Sequence, residues 1–320
     1  MKKQRFLERM IIYNATISDD IIRALAKKIK EKKEFKNVDE AFCMEKIRQC
    51  LLLDKKTRET AASAKKFDLI ESSAEIRALV KKIRAGLRSS YGLFQHGDTE
   101  SAQTVFERHI RDTKTETDES VEQILPTLLA LHTSTKERLP RYKQFFREVF
   151  AVVGKAESIL DIGCGFNPLA LRWMGHSPKN YAAVELYEKD IAFIRNYFKK
   201  TTHQTKLEAH SIDLEKKEQR EVLYRKKYDL LFALKLFDLL KKKTVEDLIK
   251  NTKYHWLAAS FSTMTIAGKK MNVPRRAWFQ KMLRRLGYSF TTLTYENELV
   301  YLVKKEKIPI TSKNKTKEHA

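Results

Sequence analysis

The stretch Ser158-Ile-Leu-Asp-Ile-Gly-Cys-Gly-Phe-Asn-Pro-Leu-Ala170 combines a strand, a glycine turn and a helix start. Ser158 to Ile162 is apolar except for Asp161, as expected for a strand buried on both faces of a parallel sheet. Gly163 and Gly165 then supply a turn with no side chains to obstruct a ligand. Asn167 before Pro168 predicts an N-cap with proline at the first helical position, where a missing N–H costs nothing. An open α/β sheet binds its ligand at this place, beyond the carboxyl end of its first strand.

The glycine spacing discriminates between cofactors. A dinucleotide site needs G-x-G-x-x-G so that a pyrophosphate can rest on the helix N-terminus, but Pro168 occupies the third glycine position. D-x-G-x-G directly after a strand instead resembles the first motif of class I S-adenosylmethionine-dependent methyltransferases. Such a turn without a ligand would have little use for Asp161 inside a buried strand.

Elements alternate downstream as a doubly wound sheet requires. Strands are predicted at Tyr181 to Leu186, Leu207 to Ile212, Tyr228 to Leu234 and His255 to Phe261, and a helix from Arg275 to Leu286. A hairpin, Tyr288 to Thr294 with Glu298 to Val303, closes the set across Tyr295-Glu-Asn297. Glu185 at its strand end is placed to accept hydrogen bonds from the two ribose hydroxyls of a nucleoside cofactor. Asp213 could take an adenine amino group, with Leu214 beside it.

The 320 residues suffice for two domains. A formal net charge of +23 points to a polyanionic partner, most simply nucleic acid. From about Ser18 to Phe94 the chain reads as helical, with Ser18, Asp19 and Asp20 opening an apolar stripe of Ile21, Ile22, Leu25 and Ile29. Glu40 to Leu53 and Glu71 to Leu93 repeat that pattern, so a helical domain with basic faces is expected. Cys43, Cys50 and Cys164 have no metal-ligand spacing and suit a reducing compartment. No apolar run has transmembrane length and no signal-peptide core follows Met1, which together predict a cytoplasmic protein with no membrane partner.

Leu131-His-Thr-Ser-Thr-Lys-Glu-Arg-Leu139 precedes the glycine turn, and Ser134 with Glu137 has capping-box spacing. This string, Asp161 to Leu171, Leu234-Lys-Leu236, Ser260-Phe-Ser-Thr263 and Asn297-Glu-Leu-Val-Tyr-Leu-Val303 occur in the order, and with intervals compatible with, one family. In these motifs, from roughly Ser18 to Val303, the chain resembles the aminoglycoside-resistance 16S rRNA methyltransferases that modify N7 of guanine 1405 in the decoding site of the 30S subunit.

The resemblance implies a class I, Rossmann-like, seven-stranded methyltransferase domain at 131–304. An all-helical domain at 1–130 would bind rRNA in the small subunit, and a basic disordered tail would follow at 305–320. It implies S-adenosylmethionine as cofactor, a monomer, and cofactor contacts from Phe94, the lid His132, Thr133, Ser134, Thr135, Lys136, Glu137 and Arg138, and from Asp161, Gly163, Gly165, Glu185, Asp213, Leu214 and Leu234. Arg138 would meet the methionine carboxylate. Target-side roles fall to Lys235, Ser260, Thr263, Lys269, Lys270, Met271 and Arg275. Guanine N7 carries a free lone pair, so no general base is required and none is assigned. The chain departs from the family at Asp238 and Ser262, where proline is usual, and in Met264 to Met271, where the family has an arginine- and glycine-rich loop. Methylation of another rRNA site, or ribosome binding without catalysis, are the alternatives.

Overall fold

The structure is a computed structural model and describes residues 9–12, 15–32, 35–36, 38, 40–90, 101–113, 118–201, 204–264, 270–271 and 275–307. Phe94, Lys269 and the tail beyond 307 lie outside the described residues. The chain forms two compact units, 1–100 and 101–320.

The first unit opens with a feature that the sequence did not suggest: an antiparallel hairpin of β1 (Arg9–Ile12) and β2 (Ala15–Ser18). Helices α1 (Asp19–Lys30), α2 (Glu40–Leu53), α3 (Lys55–Ser63) and α4 (Ala74–Ser90) follow. Ser18 caps α1 as expected, its hydroxyl accepting from the Ile21 amide at 3.4 Å. Ile21, Ile22, Leu25, Ala26 and Ile29 are all buried, so the helical spacing of the apolar residues does become the packed face. Two arginines serve as C-terminal caps rather than as free cations. Arg58 donates to the Leu51 and Leu52 carbonyls, and Arg84 to those of Ile29 and Lys28.

The second unit begins with α5 (Ala102–Thr113) and α6 (Asp118–Ala130). Both were expected in the helical domain, with a boundary at 130. Instead Phe106, Val121, Leu125, Leu128 and Leu129 are buried in the same cluster as sheet residues Ile159 and Phe232, so the apolar faces of α5 and α6 belong to the sheet's core. Next come α7 (Thr133–Arg138), α8 (Tyr142–Val153), β3 (Ser158–Ile162), β4 (Asn180–Glu185), α9 (Glu188–Lys200) and β5 (Lys206–Ser211). The short α10 (Lys217–Arg220), β6 (Lys227–Leu234), α11 (Lys242–Asn251), β7 (Lys253–Ser262), α12 (Ala277–Leu286), β8 (Tyr288–Thr294) and β9 (Glu298–Lys307) complete it. Strand β9 therefore continues past Val303 and takes in the first residues assigned to a disordered tail.

The seven strands run in the order β5-β4-β3-β6-β7-β9-β8, parallel except for β9 against β7 and β8 against β9. Alternation along each strand sorts side chains onto two faces. Ile159, Leu230, Phe232 and Leu234 join the cluster under α5, α6, α8 and α9, while Leu160, Ile162, Leu231 and Ala233 join the one under α11 and α12. Each fully buried Leu or Phe there contributes roughly 1.5–3 kcal/mol. The strand order reverses between β3 and β6, so their carboxyl ends, at Gly163 and Lys235, flank the crevice where such sheets bind ligands. Among the described residues, no helix is long and apolar enough to cross a membrane.

Candidate cofactor and target site

Asp161 is fully buried at the end of β3. Its Oδ2 accepts from Tyr181 Oη at 2.7 Å and from Asn167 Nδ2 at 2.8 Å, while its Oδ1 is buried with no hydrogen-bond partner. Asn167 is thus not the helix cap that the Asn-Pro pair suggested. Its amide is drawn to the buried carboxylate, and the segment it opens, Asn167–Trp173, is a 3₁₀ helix with Phe166 at the cap position. The Asn167 side-chain oxygen Oδ1 in turn accepts from Tyr142 Oη at 3.1 Å, which ties α8 to the turn.

Burial raises the Asp161 pKa from 3.8 to about 7, against the opposing pull of Asn167, Tyr181 and Arg138. With the folded value above the unfolded one, the stability contributed by Asp161 is fully present below the unfolded pKa and lost as pH rises through the folded value. Denaturation of the ligand-free wild type and of Asp161→Asn across pH should show the wild type losing ground to the variant between about pH 4 and pH 7. A pH-independent difference would contradict this environment.

The two glycines that follow have left-handed φ of 61° at Gly163 and 49° at Gly165, where any side chain is strained. A Cβ on Gly163 would lie 2.6 Å from Leu236 Cδ1, and one on Gly165 would lie 2.6 Å from His132 Cε1. The chain's own Leu236 and His132 therefore approach the glycine backbone. His132 stacks obliquely on Phe166 at 5.5 Å, and its Nδ1 lies 3.0 Å from Ser134 Oγ. Glu185, at the end of β4, accepts from the Gly165 amide at 2.9 Å and from the Leu186 amide at 2.7 Å. Burial raises its pKa and those two N–H groups counter the rise. Asp213 is half-buried and accepts from the Glu215 amide at 3.0 Å; Leu214 and Leu234 are buried.

Helix α7, the expected lid, starts at Thr133 with His132 at its cap position, so Ser134 lies inside the first turn and the expected capping box does not form. Glu137, its other member, instead receives Lys235 Nζ. Thr135 is buried and donates to the Leu129 carbonyl at 2.5 Å; Thr133 is half-buried and Lys136 exposed. Arg138 is 2% exposed, donating from Nη2 and Nε to Glu298 at 2.6 and 3.2 Å and from Nη1 to Tyr142 Oη at 3.4 Å. The expected carboxylate-binding arginine thus already holds a carboxylate of the chain, with the long Tyr142 contact on its other nitrogen.

On the opposite side, Lys235 is nearly buried and has φ of +56°, rare for a side-chain-bearing residue. Ser260 is fully buried, and the Thr263 carbonyl accepts from the Met271 amide at 2.8 Å, closing the loop whose rim carries exposed Lys270. Arg275 is exposed and precedes α12, which begins at Ala277. Two charged residues here were not singled out from sequence. Arg276 grips Asp238 at 2.7 and 2.9 Å, donates to the Ser262 carbonyl at 3.0 Å and lies over the Phe261 ring. Glu298 binds Arg138, and its signal was available as an acidic residue opening the apolar run Leu299 to Val303.

The residues fit an S-adenosylmethionine-type ligand on three counts: the orphaned Asp161 Oδ1 needs a donor, the carboxylate of Glu185 at the end of β4 is an acceptor suited to ribose hydroxyls, and Gly163 and Gly165 put two positions without a Cβ in the turn that follows Asp161. A parallel sheet with this turn at its switch point and an antiparallel β9–β8 ending defines the class I methyltransferase fold.

Within that class the chain belongs to the ribosomal RNA methyltransferase (FmrO) family, whose sequence model matches residues 55–302. A 16S rRNA (guanine(1405)-N(7))-methyltransferase of Micromonospora echinospora is 30% identical over 127 residues, 39% of this chain and 46% of that protein. One of Proteus mirabilis is 25% identical over 236 residues, 70% and 77% of the two chains. The chain spans about half the length of the Micromonospora echinospora and Micromonospora rosea relatives it matches, 46% of each. Among solved structures, the 16S rRNA methyltransferase RmtF in complex with S-adenosyl-L-homocysteine superposes with a TM-score of 0.61 at 22% identity, covering 90% of this chain and 99% of that one. The 16S rRNA methylase ArmA gives 0.51 at 25% identity, covering 64% and 98%.

Proposed function

We propose that the chain methylates N7 of guanine 1405 in the decoding site of 16S rRNA within the 30S subunit. It would act as a cytoplasmic monomer and make its host resistant to aminoglycosides. The observation that carries the reading is the pairing of the Asp161–Glu185 cradle with His132, the cap residue of α7, whose ring lies against Gly165. The names of the relatives support the target base.

S-adenosylmethionine would supply an electrophilic methyl on a sulfonium. Asp161 Oδ1 would accept an N–H from its methionine end, Glu185 would hold the ribose hydroxyls, and Asp213 and Leu214 would border the adenine. Arg138 would turn Nη1, which donates to Tyr142 Oη at 3.4 Å, to the methionine carboxylate while Glu298 holds its other edge. Guanine N7 would attack through its lone pair, so no side chain must remove a proton, and the work of Lys235, Thr263 and Met271 would be to position a base flipped out of the RNA, with the buried Ser260 holding the Lys235 amide from behind. Docking falls to the basic helices. Lys28, Lys32, Glu71, Arg77, Lys81 and Arg84 line a cleft of about 360 Å3 beside Ile76 and Val80; Lys28 pairs with Glu71 and Arg84 caps α1, so Lys32, Arg77 and Lys81 are the cations offered to a phosphate backbone.

Calorimetry tests the cradle. Wild-type protein should bind S-adenosylmethionine, and Glu185→Ala should weaken binding by about 1.5–3 kcal/mol, the worth of charged hydrogen bonds. Absence of binding by the wild type would end the enzyme reading.

A further inference from the structure

Glu298 is the first residue of β9, paired across the ladder with Ser262 at the carboxyl end of β7. Every residue after it up to Val303 is buried and apolar, so an acid at this place carries a desolvation cost that the sheet itself does not require. Burial alone would suppress its ionisation, but the charges of Arg138 and Lys235 outweigh that and hold its pKa below the ordinary carboxylate value.

Its contacts form a closed ring. Glu298 Oε1 accepts from Arg138 Nη2 at 2.6 Å and from Ser260 Oγ at 2.5 Å. Ser260 Oγ accepts from the Lys235 amide at 2.9 Å, and the Ser260 carbonyl accepts from the same amide at 3.1 Å. Lys235 Nζ donates to Glu137, the neighbour of Arg138 on α7. The ring thus passes from β9 to α7, to the end of β6, to β7 and back to β9. A residue at φ of +56° persists only where its surroundings over-determine it, and here Ser260 fixes the Lys235 amide while Glu137 fixes its ammonium.

We propose that Glu298 is a positioning residue that sets helix α7 and the Lys235 corner together, fixing both sides of the site through one carboxylate. Its role in transfer rests on the methyltransferase reading above; its mechanical role does not. If the ion pair served stability alone, its loss would loosen α7 and leave the Lys235 corner unchanged.

Hydrogen exchange by mass spectrometry on the full chain tests the mechanical part. Glu298→Gln should raise exchange about tenfold in both 133–138 and 234–236, segments far apart in sequence, because local opening loses its shared anchor. Ser260→Ala, which spares the ion pair, should raise it in 234–236 only. Single-turnover methylation of 30S subunits at saturating S-adenosylmethionine reads the second part. The rate should fall about 100-fold in Glu298→Gln, as for an ångström-scale misplacement, with the subunit concentration for half-maximal rate unchanged. Unaltered exchange in 234–236 of a folded Glu298→Gln, or a wild-type transfer rate, would overturn the proposal. If Glu298→Gln fails to fold, the Ser260→Ala exchange pattern decides, with an unmoved 234–236 counting against it. A wild type that methylates nothing removes the functional reading, while the exchange result still decides the mechanical one.

Discussion

Arg138→Ala should destabilise the sheet unit by about 3–5 kcal/mol, the cost of leaving a buried charge without its partner. For a unit of this size that is a thermal midpoint lower by about 2–4 °C per kcal/mol. The variant strands Glu298, which is 2% exposed, and removes a guanidinium that also lies 4.9 Å from the Phe145 ring centre. The pH dependence distinguishes this cause from simple loss of packing. In the wild type the Glu298 pKa is lowered, so its contribution is present above the unfolded value and lost as pH falls through the folded one. Without Arg138, burial acts on Glu298 with less opposition, and protonation relieves the stranded charge. The stability gap between wild type and variant should be widest near neutrality and narrow in acid. Urea denaturation at the two extremes measures it, and a gap below about 1 kcal/mol at neutral pH would contradict the buried-pair account.

The fold was legible where period and punctuation agreed. Seven strands could be placed because five are short apolar runs ended by a glycine, an acid or a polar residue, β5 and β8 intersperse apolar with polar residues, and the glycine turn fixed the first of them. What escaped was set by partners distant in sequence. Asn167-Pro168 has the form of a cap, yet the Asn167 amide binds Asp161, because a buried carboxylate competes more strongly than the backbone amides of the following turn. Ser134 and Glu137 have capping-box spacing, but the helix begins two residues earlier and Glu137 is taken by Lys235. Arg138 was expected to wait for a ligand; its partner Glu298 lies in the last strand, where the local pattern marks an acid beside an apolar run but not the arginine it binds. The boundary near 130 failed for a related reason: α5 and α6 carry apolar faces typical of any helix, and only packing shows which core they cover.

The second large effect is on the ribosome. Methylation at N7 of guanine 1405 adds bulk and a fixed positive charge where cationic 4,6-disubstituted deoxystreptamine aminoglycosides must pack and donate hydrogen bonds, so a sensitive bacterium expressing this chain should resist gentamicin and kanamycin. Drugs that do not approach that edge should keep their potency. The resemblance departs from the family's usual pattern at Asp238, Ser262 and the loop from Met264 to Met271, which makes the nucleotide itself the decisive observable. The direct measurement is chemical cleavage specific for 7-methylguanosine, read by primer extension along 16S rRNA from 30S subunits incubated with the protein and S-adenosylmethionine. A stop at guanine 1405 is the predicted result. Methylated rRNA without that stop would mean another target, and 30S subunits that bind the protein but gain no methyl group would contradict the methyltransferase account altogether.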